Sequence, residues 1–84
     1  MVKGQNLLAV MKQSKNGWKY RDVETVYLYY GFEKIDGKNH ALFVHPKFPD
    51  LRGTVARHPG DLAIGYIQHA IKMIDEANER RSTQ

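Results

Sequence analysis

Gly31-Phe32-Glu33-Lys34-Ile35-Asp36-Gly37-Lys38-Asn39-His40-Ala41-Leu42-Phe43-Val44-His45-Pro46 is the stretch in which the chain changes period. Upstream, Val23, Val26, Tyr27 and Tyr30 stand at i, i+3, i+4 and i+7, one apolar stripe of a helix over 22–30, with Asp22 placed to cap it. Gly31 supplies the residue past the helix end that tolerates positive φ, and Phe32 folds back on the last turn. Asp36-Gly37-Lys38-Asn39 carries a hairpin signal, because Asp-Gly accepts a left-handed turn. His40 to His45 then reads as a strand rich in apolar and β-favouring residues, ended by Pro46. The window predicts strands at 32–36 and 40–45.

A third strand follows at 52–57, broken by His58-Pro59-Gly60. Asp61 is placed to cap a last helix over 62–77, whose buried face is defined by Ile64, Ile67, Ile71 and Ile74. Those isoleucines, with Val26 and Phe43, form the expected core. Upstream, Leu7, Val10 and Met11 predict a short helix over 5–13 with Asn6 as its cap. Trp18 is expected to pack that helix onto the core rather than to stack on a base. Residues 1–20 read as an N-terminal helical extension, 21–78 as one domain and 79–84 as a polar tail that frays. The economical fold is α+β: a three-stranded antiparallel meander with helices on one face, the α-β-β-β-α core of double-stranded-RNA-binding domains, plus a short N-terminal helix.

The chain has 84 residues, so it holds one domain, and no cysteine, which excludes disulfides and thiol chemistry. No apolar run reaches the ~20 residues of a membrane span and no signal-peptide core opens the chain, so a cytoplasmic protein away from membranes is expected. Net charge is +4 and unevenly spread. Residues 1–21 carry five cations and no acid. Residues 22–33 carry Asp22, Glu24 and Glu33. Residues 34–58 set Lys34, Lys38, Lys47, Arg52 and Arg57 against Asp36 and Asp50. A basic central segment suits a polyanion.

Four histidines are the groups suited to proton transfer near neutral pH. His40, at the start of the central strand just after the turn, is the candidate catalytic residue. Lys34, Lys38 and Arg57 are the candidate phosphate-binding cations, with Gly37 shaping the turn. His58, at the exit of the third strand, is a further candidate for phosphate contact. His45 lies five residues after His40, on the opposite face of a regular strand, so the two share no metal and no metal site is expected. His45 is expected to satisfy its ring nitrogens locally, and His69 to face solvent. No phosphate loop, nucleophile elbow or paired carboxylates occur, and no cofactor is implied.

Several of these residues together are similar to the HicA family of toxins from type II toxin–antitoxin pairs. The resemblance runs through Tyr30-Gly31-Phe32, Gly37-Lys38-Asn39-His40, Val44-His45-Pro46, Arg57-His58-Pro59-Gly60 and the isoleucine-rich last helix, about residues 21–76. The family turn is Gly-Ser-His or Gly-Ser-Asn-His; Lys38 stands here in place of its serine, and Asp61 and Ala63 in place of lysines. The resemblance implies a metal-independent mRNA interferase that cleaves RNA with one histidine, which maps onto His40. It also implies a HicB-type antitoxin as protein partner. The alternative is a non-catalytic RNA-binding or regulatory module on the same fold, and after it an adaptor that binds only protein.

Overall fold

The computed structural model describes residues 4–82; residues 1–3 of the expected extension and 83–84 of the expected tail lie outside them. The elements are α1 (Gly4–Gln13), α2 (Tyr20–Tyr29), β1 (Glu33–Asp36), β2 (His40–Val44), β3 (Arg52–Ala56) and α3 (Ile64–Ser82). The strands form one antiparallel sheet in the order β1-β2-β3. The protein is a small α+β fold of three helices and a three-stranded meander, as the periodicity predicts.

α2 ends as its sequence demands. Gly31 adopts φ +89°. Its N–H donates to the Leu28 carbonyl (3.1 Å), and that of Phe32 to the Tyr27 carbonyl (3.1 Å). These two bonds are a Schellman cap. Phe32 folds back with its ring edge-on to Tyr27, centroids 5.0 Å apart. The start of α2 differs from expectation. Lys19 is the cap residue, and Asp22 sits one turn inside, where its Oδ2 accepts the Lys19 N–H at 3.1 Å. A carboxylate there serves the same unpaired amide and the positive end of the helix dipole from the third position.

Strand alternation allots the two faces of the sheet. On β2, Ala41 and Phe43 are buried, while His40 is exposed and Leu42 and Val44 are half-buried. Val55 and Gly53 continue the buried set on β3. The buried face meets Val23, Val26 and Tyr27 of α2 and Ile67, Ala70, Ile74 and Ala77 of α3. Leu8 and Met11 of α1 enter the same core, so the N-terminal helix is part of one packing unit. Trp18 packs partly buried against that core, its indole N–H donating to the Ser14 carbonyl at 2.8 Å.

α3 corrects three expectations. Its buried stripe runs through Ile67, Ala70, Ile74 and Ala77; Ile64, on the first turn and beyond the sheet, is 42% exposed, and Ile71 is only half-buried. Asp61 lies before the helix and pairs with Lys19 Nζ at 3.0 Å instead of capping. Residues 79–82 stay helical. Arg80 holds them: its guanidinium grips both Asp50 oxygens, at 3.0 and 2.9 Å, and lies 5.3 Å over the Phe48 ring. Among the described residues no helix is long and apolar enough to cross a membrane.

Replacing a fully buried branched side chain removes its transfer energy and leaves a cavity. Ile74→Ala is therefore expected to lower unfolding free energy by about 2–5 kcal/mol, and Ile64→Ala by roughly 0.5 kcal/mol or less. Urea denaturation of the two variants beside the wild type measures the difference; equal losses would mean the stripe is misplaced.

Candidate active site

His40 is the first residue of β2. The turn before it is closed by the Gly37 N–H donating to the His40 carbonyl (2.9 Å), and the Arg57 N–H donates to the Asn39 carbonyl (3.0 Å). The backbone at His40 is thus held from both flanking strands. Gly37 is needed for space, and not for the left-handed conformation the sequence suggests: among the described residues only Gly17 and Gly31 have positive φ. A Cβ on Gly37 would lie 2.7 Å from the His40 carbonyl oxygen.

Ring access follows from small neighbours. The residues opposite His40 are Gly37 on one side and Ala56 on the other, so the imidazole stands exposed on the open face. Leu42 and Ile35, opposite one another, continue that face, with Ile35 55% exposed. No described residue bonds to the His40 ring. Lys38, at the tip of the turn, is exposed and unpaired among the described residues.

Lys34 and Arg57 are placed differently from the expectation that they flank His40 as bare cations. Lys34 pairs across the sheet with Phe43, and Asp36 with Ala41. Both therefore project to the helix face, opposite His40. Lys34 Nζ lies 2.9 Å from Glu24 Oε2 and 3.9 Å from Asp36 Oδ1. Arg57 forms a close ion pair with Asp36, and its guanidinium lies 5.6 Å over the Tyr20 ring. Tyr20 in turn donates its hydroxyl to Glu24 Oε2 at 3.1 Å. Tyr20, Glu24, Lys34, Asp36 and Arg57 thus close a ring of contacts that ties α2 to the hairpin and to the exit of β3. Its two cations and two acids cancel. The hydrogen bond from Lys34 holds the Glu24 carboxyl below the ordinary glutamate range, despite partial burial. Burial, and after it the Glu24 contact, pushes the Tyr20 hydroxyl up.

His58 is exposed just beyond Arg57 and lines a shallow cleft with Lys19, Arg21 and Asp22 at the start of α2. His45 lies on the helix face, opposite His40 as the alternation requires, and is buried. Its Nδ1 accepts the Lys47 N–H at 3.2 Å, so one of the two ring nitrogens expected to be satisfied locally is, while Nε2 finds no such partner among the described residues. His69 is solvent-facing, yet its Nε2 lies 2.7 Å from the Arg52 carbonyl on the free edge of β3. The sequence reading missed Tyr20 and Glu24 as partners of the basic residues. Their one-turn spacing on a helix was the available signal.

Chemically, the open face offers the His40 imidazole, with Glu33 and Arg52 flanking Val44 at its far end, and the exposed Lys38 ammonium stands at the turn tip. The helix face offers a charge-neutral clasp. Comparison with protein-family models, with characterised proteins and with solved structures finds no match to this chain.

The clasp has a pH signature. A carboxyl held low in the folded state contributes stability above its unfolded range, and loses it as pH falls through the folded value. The wild type should therefore lose more stability than Glu24→Gln between pH 7 and pH 3. The difference should be roughly 1 kcal/mol or less, because the pair is partly exposed. Urea midpoints of both proteins at the two pH values measure it, and parallel losses would exclude Glu24 as the anchor.

Proposed function

We propose that this chain is a HicA-type mRNA interferase, a metal-independent endoribonuclease on a double-stranded-RNA-binding-like fold, and the toxin partner of a HicB-type antitoxin. The observation that carries the reading is His40: one exposed imidazole, fixed by its backbone at a strand start between Gly37 and Ala56. Together with the resemblance around Gly37-Lys38-Asn39-His40, it gives RNA what self-cleavage requires.

His40 takes the proton of a ribose 2′-hydroxyl. The 2′-oxygen attacks the adjacent phosphorus, the bond to the 5′-oxygen breaks, and that oxygen takes a proton from solvent water as it leaves, while His40 returns its own to the solvent. The products are a 2′,3′-cyclic phosphate and a 5′-hydroxyl. Lys38 is the cation free to meet the charge that builds on the phosphate oxygens. Lys34 and Arg57, paired with Glu24 and Asp36 behind the sheet, take no part at His40, and the cleft of His58, Lys19 and Arg21 is offset by Asp22 and Asp61. An antitoxin that covers the open face around His40 silences the enzyme by occlusion.

Two observations favour the second reading, a non-catalytic RNA-binding module: no described residue orients the His40 ring, and two of the three expected phosphate cations are already paired with acids. The two readings diverge in a single experiment. Purified wild type and His40→Ala are incubated with RNA and with DNA of the same sequence, in EDTA. A positioned acid or base is worth 10²–10⁴-fold, so His40→Ala should lose cleavage on about that scale while binding RNA and unfolding like wild type. DNA should bind and survive. Equal cleavage by the variant, or equal cutting of DNA, would overturn the mechanism; binding without cleavage by the wild type establishes the module.

A further inference from the structure

The far end of β2 carries a second grouping that the reading of His40 leaves unused. His45, 4% exposed, lies with its ring edge-on to Phe32 (5.1 Å, 88°) and tilted against Phe48 (4.8 Å). Because Nδ1 accepts the Lys47 N–H, the neutral ring carries its hydrogen on Nε2, an assignment made from that bond. Nε2–H has no acceptor among the described residues. Yet no buried side-chain nitrogen or oxygen there is left unpaired, so Nε2 opens outward. It opens beside Gly31, where a Cβ would stand only 3.8 Å away.

A cleft of about 290 Å³ covers that opening, with Tyr29, Tyr30, Gly31, Lys47 and Arg81 around His45. This is the small end of ligand pockets. Its charged lining is Lys47 and Arg81, with no acid. Asp50 and Glu76 are held by Arg80, at 2.9 and 3.3 Å, and Asp75, whose charge reaches Tyr30, is paired with Lys12 at 2.8 Å. The C-terminal end of α2 also borders the cleft, and its negative dipole end alone would disfavour an anion. The Schellman bonds absorb its Tyr27 and Leu28 carbonyls, however, and two full cations outweigh the residual partial charge. What remains is a buried N–H donor aimed into a positive recess.

We propose that this cleft binds a phosphate group, with His45 Nε2–H donating to it from the floor and Lys47 and Arg81 closing on it from the rim. Tyr29 and Tyr30, edge to face with centroids 5.0 Å apart, form an aromatic wall beside the phosphate. That wall suits a nucleotide, while the donor and the two cations equally suit free phosphate. The site is independent of cleavage by His40. The two histidines lie on opposite faces, five residues or roughly 16 Å apart along the strand.

Burial, and after it the charges of Arg81 and Lys47, holds His45 below the ordinary histidine range. The other titratable groups lining the cleft are Tyr29, the last residue of α2, and Tyr30, which caps it, and Arg80 lies across Phe48. A bound phosphate supplies the missing counter-charge, so occupancy should raise the His45 titration midpoint.

The test is an NMR titration of the whole chain with inorganic phosphate, adenosine 5′-monophosphate and adenosine, following the Gly31 and Lys47 amides and the His45 ring. Both phosphate-bearing probes should saturate, with adenosine weaker by about tenfold or more. The His45 midpoint should rise on binding, and Lys47→Glu with Arg81→Glu should weaken both probes by about tenfold, which corresponds to 1.4 kcal/mol. These rim residues are exposed, so the fold is not at stake. His40→Ala should bind as the wild type does, whatever becomes of its cleavage activity. Tighter binding of the nucleotide identifies it as the source; equal binding identifies free phosphate. Adenosine binding as tightly as its monophosphate, no saturable change at Gly31, or indifference to the double charge reversal would each overturn the proposal.

Discussion

The stack of Tyr27 on Phe43 is the contact on which the rest of the structure depends. The rings lie 4.7 Å apart and within 8° of parallel, and both are fully buried. Tyr27 is also the residue whose carbonyl receives the Schellman bond, and whose ring takes the edge of Phe32. Its hydroxyl reaches β3, where a Cβ on Gly53 would collide with it. One side chain thus sets the height of α2 over β2, the angle at which the chain leaves α2 for β1, and the residue β3 can carry beneath it. Burial pushes that hydroxyl above the ordinary tyrosine range, so it remains protonated and the stack is insensitive to pH near neutrality.

Much of this was legible in sequence because it is local. The stripe Val23-Val26-Tyr27-Tyr30 followed by Gly31-Phe32 specifies both a helix face and its Schellman end, and the structure contains both. The hairpin between Asp36 and His40 was legible for the same reason, although Gly37 serves it by close approach rather than by positive φ. What escaped depends on distant partners. Ile64 satisfies the helical period, but whether that turn overlies the sheet depends on where α3 begins, and it begins at Ile64 itself. Residues 79–82 read as a polar tail because nothing local reveals that Arg80 meets Asp50 and Phe48, some thirty residues earlier in the chain.

The candidate site divides along the same line. That His40 opens a strand beside a turn was readable from Gly37-Lys38-Asn39-His40. That Lys34 and Arg57 stand behind the sheet was not, because the face of β1 is fixed only once its register with β2 is known. A shift of one residue would have put Lys34 opposite Leu42 or Val44, on the face of His40. With Lys34 opposite Phe43, it faces Glu24 instead. Asp36 lies within the basic segment and Glu24 before it in sequence, and in space the two pair with Arg57 and Lys34.

Seen from β2, the two histidines show how one strand assigns opposite chemistry to the same side chain. An odd separation places them on opposite faces, so their environments are independent. His40 has glycine and alanine for neighbours and an imidazole open to solvent. His45 has two aromatic rings, a backbone N–H on Nδ1 and two cations in the cleft beside it; burial and those charges hold it below the ordinary histidine range. An unpartnered ring can exchange protons with whatever approaches, whereas a ring with a fixed tautomer is a directional donor. The strand therefore presents an exposed, unpartnered imidazole at one end and a buried, hydrogen-bonded one at the other. Neither environment can be exchanged for the other, because each follows from the face on which its residue number places it.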